Sequence, residues 1–341
     1  MLHFENDYNE GVHPNLLQAL IETNEINLPG YGMDSYCQDA TEKIKEACDC
    51  PQAQVAFITG GTQTNQVVIS SLLSSYEGVI SAETGHIATH EAGAIEYTGH
   101  KVLTLPSHEG KLDAQELSVY LSDFYANSDY EHKVIPGMVY ITYPTEYGTL
   151  YSKAELQALS NICRNYKIPL FIDGARLGYG LAAMEADVDL ATIAELSDVF
   201  YIGGTKMGAL AGEAIVFTKG NKPKHFMTLV KQKGALLAKG RFLGVQFARL
   251  FTDNLYLRIG SKAVAFAEEL KEILHEKGYR FYLESPTNQQ FLIVDNEKLE
   301  ALSQVMVYTS WEKYDSEHTV IRLVTSWSTT QEDIDKLREV L

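Results

Sequence analysis

Apolar and polar residues follow two alternating patterns through the first two thirds of the chain. Runs of apolar and β-branched residues, which are typical of buried strands, occur at residues 54–59, 78–82, 101–105, 137–143, 168–173, 198–203 and 213–218. Between several of these runs the apolar residues recur at helical spacing, at 62–76, 86–98, 114–125 and 153–166. This alternation predicts an α/β fold with a mostly parallel seven-stranded sheet and flanking helices. The run at 213–218 follows its neighbour after a short turn, so we expect it to be antiparallel.

The pattern changes after about residue 240. A long helical segment runs toward Lys277, and short strand-like runs follow at 281–283, 290–294, 305–311 and 320–324. A closing helix is predicted at 330–341, with Thr330 and Asp333 as its capping box. We therefore expect a smaller C-terminal α+β domain at residues 240–341, a large domain at 21–239, and an N-terminal arm at 1–20 that packs with the small domain.

Composition narrows the class of protein. The 341 residues are 45% hydrophobic and 21% charged, as in a globular protein with a sizeable core, and the net charge is −17. No basic run favours a nucleic-acid or membrane partner, and no apolar stretch approaches the roughly 20 residues of a membrane helix. The four cysteines have no zinc spacing, so we expect reduced thiols, a cytoplasmic protein and no metal site.

The strongest chemical signal lies at the ends of two predicted strands. Lys206 follows an apolar run inside a glycine-rich turn, and Asp173 ends an earlier apolar run, with Arg176 three residues later. A pyridoxal phosphate enzyme needs a lysine that forms a Schiff base and a carboxylate that pairs with the pyridine nitrogen. Alone, each residue has an ordinary alternative, a solvated lysine or a structural ion pair.

Two other strand ends add to this signal. Gly60-Gly61-Thr62 joins a strand to a helix, a geometry suited to a phosphate but also to a plain tight turn. His86 follows the next strand and could stack on a cofactor ring or be a partly buried structural histidine. All these residues fall on the edge of a parallel sheet where such folds bind ligands. Arg322, inside an apolar strand, suits a substrate carboxylate or an ion pair between domains.

As a set, these motifs resemble those of the threonine aldolases, in the β-eliminating lyase family of pyridoxal phosphate enzymes with the aspartate aminotransferase fold. The resemblance covers essentially the whole chain and rests on these segments: Asn6-Asp7, Gly11-Val12-His13-Pro14, Gly32-Met33-Asp34-Ser35-Tyr36, Gly60-Gly61-Thr62, Gly85-His86, Ile172-Asp173-Gly174-Ala175-Arg176, Gly204-Thr205-Lys206 and Ile321-Arg322-Leu323-Val324-Thr325.

The resemblance implies a role for each matching residue. Lys206 would carry the cofactor beside Thr205, Asp173 would hold the pyridine nitrogen, and His86 would stack on the ring. The remaining roles are phosphate binding by Gly60, Gly61 and Thr62, carboxylate binding by Arg176 and Arg322, further substrate contacts by Asn6 and Tyr36, and cofactor binding by Arg241. Tyr36 and Arg241 match positions that reach a neighbouring subunit's site, which implies a homodimer or homotetramer with shared active sites.

The implied reaction is retro-aldol cleavage of threonine or allo-threonine to glycine and acetaldehyde. The sequence departs from many relatives in having Thr145 at a position that holds a histidine, and Asn6 where serine is common. The base that takes the β-hydroxyl proton is therefore open among His86, which we favour, His90, Glu91, Glu146 and a water. Rival hypotheses are β-elimination or transamination with the same cofactor, and a phosphate-binding protein without catalysis.

Overall fold

The computed structural model describes residues 1–341, and its strands form three sheets. The strands are β1 (Leu2–His3), β2 (Gln54–Ile58), β3 (Glu77–Ala82), β4 (Val102–Leu105), β5 (Ile135–Thr142), β6 (Leu170–Asp173), β7 (Val199–Gly203), β8 (Glu213–Phe217), β9 (Arg280–Leu283), β10 (Gln289–Asp295), β11 (Met306–Val307), β12 (Thr309–Lys313) and β13 (His318–Val324).

Fourteen α-helices surround the sheets. They are α1 (Pro14–Thr23), α2 (Ser35–Ala47), α3 (Gly61–Leu72), α4 (His86–Thr89), α5 (Ala94–Tyr97), α6 (Ala114–Ala126), α7 (Lys153–Tyr166), α8 (Leu177–Ala182), α9 (Leu190–Leu196), α10 (Phe226–Gln232), α11 (Arg241–Leu250), α12 (Leu255–Glu276), α13 (Asn296–Ser303) and α14 (Gln331–Val340). Short 3₁₀ turns lie at Tyr130–His132 and Thr205–Met207. No helix combines the length and the apolar character needed to span a membrane.

The central sheet has seven strands in the order β2-β8-β7-β6-β5-β3-β4. Only β8 runs against its neighbours, β2 and β7, which confirms the predicted antiparallel strand. Side chains of β6 and β7 alternate between two apolar cores, with Ile172 and Phe200 on one face and Phe171 and Tyr201 on the other. Burial on both faces explains why these strands are apolar throughout.

The C-terminal segment forms an antiparallel sheet in the order β12-β13-β10-β9. The predicted single strand at 305–311 is wrong, because this stretch divides into β11 and β12. The first of these pairs with β1 of the N-terminal arm and the second with β13, so the two parts belong to different sheets. The capping box of Thr330 and Asp333 at the start of α14 is confirmed. The division into an arm and two domains stays a prediction.

Two predicted helices are interrupted in the structure. The helix expected at 86–98 becomes α4 and α5, because Ala92 and Gly93 take positive φ angles of 51° and 71° between them. The long segment toward Lys277 becomes α11 and α12, with Asp253 and Asn254 at φ 54°. Helix α2, which begins at the cap residue Asp34, was not among the predicted elements.

Candidate active site

Lys206 lies where β7 ends, at the carboxyl edge of the central sheet. Its carbonyl accepts a hydrogen bond from the Tyr179 hydroxyl at 2.5 Å, which fixes the backbone of the turn. Its amine makes no hydrogen bond and no ion pair, and lies 5.9 Å from the centre of the Tyr8 ring. Burial and the charge of Arg176 lower the pKa of Lys206, against the opposing charge of Asp7. A neutral amine is therefore easier to reach here than on a surface lysine.

Asp173 is the last residue of β6 and is almost completely buried. One carboxylate oxygen accepts the backbone N–H of Ala175 at 3.0 Å. The other accepts the Tyr140 hydroxyl at 2.6 Å and the Asn65 side-chain amide at 3.0 Å. These bonds hold the carboxylate in one orientation. Tyr140 and Asn65 were not predicted as site residues, although a tyrosine inside an apolar strand indicates a buried hydroxyl that needs a partner.

His86 begins α4, directly after the turn that follows β3. Its Nδ1 lies 2.8 Å from Oε1 of Glu91, and its backbone N–H donates to Oε1 of Glu146 at 2.8 Å. Burial alone would lower the pKa of His86, but the hydrogen bond to Glu91 and the charge of Asp173 outweigh it, so the pKa is raised. The His86 side chain keeps 34% of its surface exposed, whereas Glu91 keeps none. Only the histidine of this pair can meet a ligand.

The segment that departs from the family pattern packs behind His86. Thr145 is buried, and its hydroxyl lies 2.6 Å from that of Thr149. Glu146 is also buried, and the oxygen that contacts His86 accepts the Thr142 hydroxyl at 2.6 Å as well. Burial raises the pKa of Glu146 despite that bond. Thr145 is therefore occupied by a neighbour in its own loop, and Glu146 supports His86 from behind.

The predicted phosphate-binding turn opens α3. Gly60 is the N-cap residue and Gly61 the first helical residue, and no side chain caps this helix. Thr62 is exposed on the first turn. An uncapped helix N-terminus offers free N–H groups to an anion. The Thr205 hydroxyl is already engaged, because it donates a hydrogen bond to Glu213 at 2.8 Å, so it is not free to bind an anion at the start of α3.

The two predicted carboxylate-binding arginines have different partners. Arg176 binds both oxygens of the buried Asp7, through Nε at 2.8 Å and Nη2 at 2.9 Å. Arg322 donates to the side-chain oxygen of Gln289 at 3.0 Å, and its guanidinium carbon lies 4.9 Å from the centre of the Trp311 ring. It has no acidic partner, and its Nε is buried without a hydrogen bond.

Three further predicted residues lie outside this hydrogen-bond network. The Asn6 side chain accepts the backbone N–H of Tyr8 at 3.0 Å. Tyr36 is half-buried on the first turn of α2. Arg241 donates to carbonyl oxygens at the end of α1 and just beyond it, those of Thr23, Asn24 and Ile26. Their roles toward substrate, cofactor or a second subunit stay predictions.

Comparison with known proteins decides the family. The model of the β-eliminating lyases matches residues 17–297, most of the chain. The chain belongs to the β-eliminating lyase family. The chain is 31% identical to the low-specificity L-threonine aldolase of Pseudomonas aeruginosa, over 99% of this chain and 95% of that protein. The enzyme of Pseudomonas sp. (strain NCIMB 10558) is also 31% identical, over 98% of this chain and 95% of that protein.

Solved structures support the same family and confirm the predicted fold. The threonine aldolase of Leishmania major superposes with a TM-score of 0.96 at 41% identity, covering 100% of this chain and 98% of that one. The histidinol-phosphate aminotransferase of Clostridium acetobutylicum matches with a TM-score of 0.74 at 13% identity, covering 100% and 98%. The second likeness concerns the fold alone, and it places this family member among the aminotransferase-like folds.

Proposed function

We propose that this family member is a pyridoxal-phosphate-dependent lyase that cleaves threonine or allo-threonine by a retro-aldol reaction to glycine and acetaldehyde. The threonine aldolases of Pseudomonas and Leishmania, which match almost its whole length, support this activity. The structural observation that carries the proposal is the half-buried Lys206 amine, which makes no hydrogen bond or ion pair, whereas the nearby Asp173 and Arg176 are both held by hydrogen bonds.

The residues at the sheet edge fit pyridoxal phosphate. Lys206 would hold the group covalently, the fixed Asp173 carboxylate would face the pyridine nitrogen, and the uncapped start of α3 at Gly60 and Gly61 would take the phosphate. The exposed face of the His86 ring would cover the cofactor ring. When bound, the cofactor withdraws electrons from a bond at the substrate's α-carbon.

The substrate carboxylate fits the arginine side of the site. The Arg322 guanidinium is held by Gln289 and by the carbonyl of Glu5 at 3.2 Å, with no acid to neutralise it. A planar guanidinium can bind a carboxylate through two parallel hydrogen bonds. Arg176 uses two of its three nitrogens to bind Asp7, so we assign it a smaller part in binding the substrate carboxylate.

His86 is the candidate base for the β-hydroxyl proton. Glu91 fixes the ring through Nδ1, which leaves Nε2 to accept a proton from the substrate. Glu91 is fully enclosed and Glu146 is buried and bonded to Thr142, so neither is placed to meet a substrate. His90, whose ring centre lies 5.7 Å from that of His86, is the remaining side chain in reach of this region.

We also propose a cytoplasmic homodimer or homotetramer with shared active sites. Tyr36 and Arg241 lie on α2 and α11, outside the network around Lys206. The resemblance to the threonine aldolases implies that both residues reach the site of a second subunit. Sedimentation analysis of the wild-type protein would give the oligomeric state, and an activity assay of mixed Lys206→Ala and Arg241→Ala chains would test the shared sites. Recovery of activity on mixing supports shared sites, and no recovery contradicts them.

The activity is tested by product analysis. The purified protein with cofactor should release acetaldehyde and glycine from threonine, and the Lys206→Ala variant should lose both this release and the visible absorption of the bound cofactor. Ammonia or a keto acid as the main product would indicate β-elimination or transamination instead. A colourless wild-type protein that binds only phosphate would contradict the proposal.

A further inference from the structure

Glu213 is a buried acid beside Lys206 that the mechanism above does not use. It begins β8, is 4% exposed, and lies opposite Gly203 in the pairing of β7 with β8. Its two carboxylate oxygens accept the backbone N–H of Gly204 at 3.0 Å and the Thr205 hydroxyl at 2.8 Å. Both donors are neutral, and Glu213 has no ion-pair partner. An ionised carboxylate in such a place needs compensation from elsewhere.

The loop that Glu213 holds is the one that carries Lys206. The Thr205 hydroxyl that donates to Glu213 also accepts the Gly212 N–H at 3.1 Å. The Gly212 carbonyl accepts the N–H groups of Gly204 and Thr205, at 2.9 and 3.1 Å. These bonds close a loop from residue 204 to 213, with the Glu213 carboxyl at its centre. The backbone from which Lys206 projects is fixed by this acid.

The other acids of the site show what Glu213 lacks. Asp7 has the guanidinium of Arg176 at 2.8 Å, and Glu91 has the imidazole of His86 at 2.8 Å. Lys206 is the corresponding cation for Glu213, but it lies beyond ion-pair distance, so the two interact through space and not by a direct bond.

We propose that Glu213 is a positioning residue for Lys206, which fixes the backbone of the lysine and acts as its counter-charge. The proposal relies on the proposed role of Lys206 as the reactive amine. An ionised Glu213 offsets the charge of a protonated Lys206, and the lysine in turn offsets the charge of the buried carboxylate. Glu213 therefore raises the pH at which the amine becomes free, and it keeps the resting lysine protonated.

The charges around Glu213 agree with this assignment. Burial raises the pKa of Glu213, and the charge of Lys206 acts in the opposite direction. Burial and Arg176 lower the pKa of Lys206, while Glu213 is among the acids that raise it. The other titratable groups that interact with Glu213 are Asp173, Tyr201 and Tyr256. Burial raises the pKa of both tyrosines, so they stay neutral and Lys206 is the one cation that faces Glu213.

The test is the reactivity of Lys206 in the full-length protein freed of cofactor. Trace acetylation with acetic anhydride across a pH series, followed by peptide mass spectrometry, gives the midpoint at which the Lys206 amine becomes reactive. Glu213→Gln should move this midpoint down by about one pH unit, so that labelling below the midpoint is about tenfold faster. Glu185→Gln, which removes a carboxylate from the exposed surface, should leave the midpoint unchanged.

The reverse measurement covers a Glu213 variant that fails to fold. Lys206→Met removes the cation, so the pKa of Glu213 should rise, measured from the side-chain carboxyl shifts of glutamate labelled with carbon-13. Midpoints for Glu213→Gln that equal those of Glu185→Gln, or a Glu213 pKa that is unchanged in Lys206→Met, would overturn the proposal. Neither readout uses threonine, so a failed aldolase assay and a failed counter-charge remain distinguishable.

Discussion

Arg176 and Arg322 lie in the same site, yet the chain surrounds them differently. Arg176 is paired with Asp7, whose charge raises the pKa of Arg176 against the effect of burial. Arg322 has no acid, and burial together with repulsion from Arg176 lowers the pKa of Arg322 to about 10. A paired arginine stabilises the fold, whereas a buried arginine without an acid is stabilised when an anion binds to it. From this difference we propose that Arg176 is mainly structural and that Arg322 provides most of the binding of the substrate carboxylate.

The largest effect should come from breaking the pair. Asp7→Asn leaves Arg176 buried without a counter-ion and should cost about 3 kcal/mol of unfolding free energy at pH 7, measured by denaturant titration. We expect the lower end of the usual range because the Arg176 side chain keeps 13% of its surface exposed. The matched control is Asp39→Asn, in the exposed pair with Lys43, which should cost less than about 0.5 kcal/mol.

The same variant has a defined pH dependence. Burial would raise the pKa of Asp7, but the charges of Arg176 and Lys206 outweigh it and the folded-state pKa is lowered. A lowered folded-state pKa adds stability above the unfolded value of about 3.9, and this is lost as the pH falls through the folded value. The gap between wild type and Asp7→Asn should therefore close in acid. A gap that is independent of pH would show that the pair is not its cause.

Loss of the unpaired arginine should affect catalysis more than stability. Arg322→Leu removes the free cation and should lower kcat/KM for threonine by about 100-fold, while the unfolding free energy stays within about 1 kcal/mol. Arg280→Leu is the control, because Arg280 also lies over an aromatic ring, that of Tyr314 at 5.0 Å, but on the surface. An equal loss with threonine amide, which has no carboxylate, would contradict the assignment.

The contrast between the arginines also marks what the sequence could predict. Apolar runs in the sequence predict parallel strands, whose carboxyl ends share one edge of a sheet. The residues that follow such runs could therefore be predicted as site residues, and they are Lys206, Asp173, His86 and the glycines of α3. The pair of Asp7 and Arg176 joins residues 169 positions apart, and no local pattern indicates it. The two arginines therefore received the same predicted role, and only the structure separates them.

Two other features escaped sequence reasoning for a similar reason. Glu213 was interpreted as the start of a strand, and its neighbour across the sheet, Gly203, was not known until the register of β7 and β8 was seen. Glu91 was placed inside one continuous helix, whereas α4 ends at Thr89 and the left-handed residues Ala92 and Gly93 separate it from α5, which leaves Glu91 against His86. The position of Glu213 depends on the pairing of two strands, and that of Glu91 depends on a break in the helix, and local sequence patterns predict neither.

Glu91 and His86 form a second pair, in which only the acid is buried, and this pair tests whether pairing affects the pKa of a reactive group as well as stability. Glu91 raises the pKa of His86, so Glu91→Gln should lower it. With His86 as the base, the rise of kcat with pH should move to lower pH by about one unit. Glu116→Gln breaks the exposed pair with His108 and should leave the profile unchanged. A profile that stays in place in Glu91→Gln would remove His86 from the role of base.

The smallest effect concerns the ring beneath Arg322. Trp311 faces the guanidinium at 4.9 Å, and a cation over an aromatic ring gains about 1 kcal/mol. Trp311→Leu removes this attraction and leaves the arginine less well oriented, so KM for threonine should rise about fivefold with kcat unchanged. Trp311→Phe keeps an aromatic face and should stay within about twofold of wild type. If both variants raise KM equally, the shape of the indole and not its π face orients Arg322, and if neither does, Gln289 and the carbonyl of Glu5 suffice.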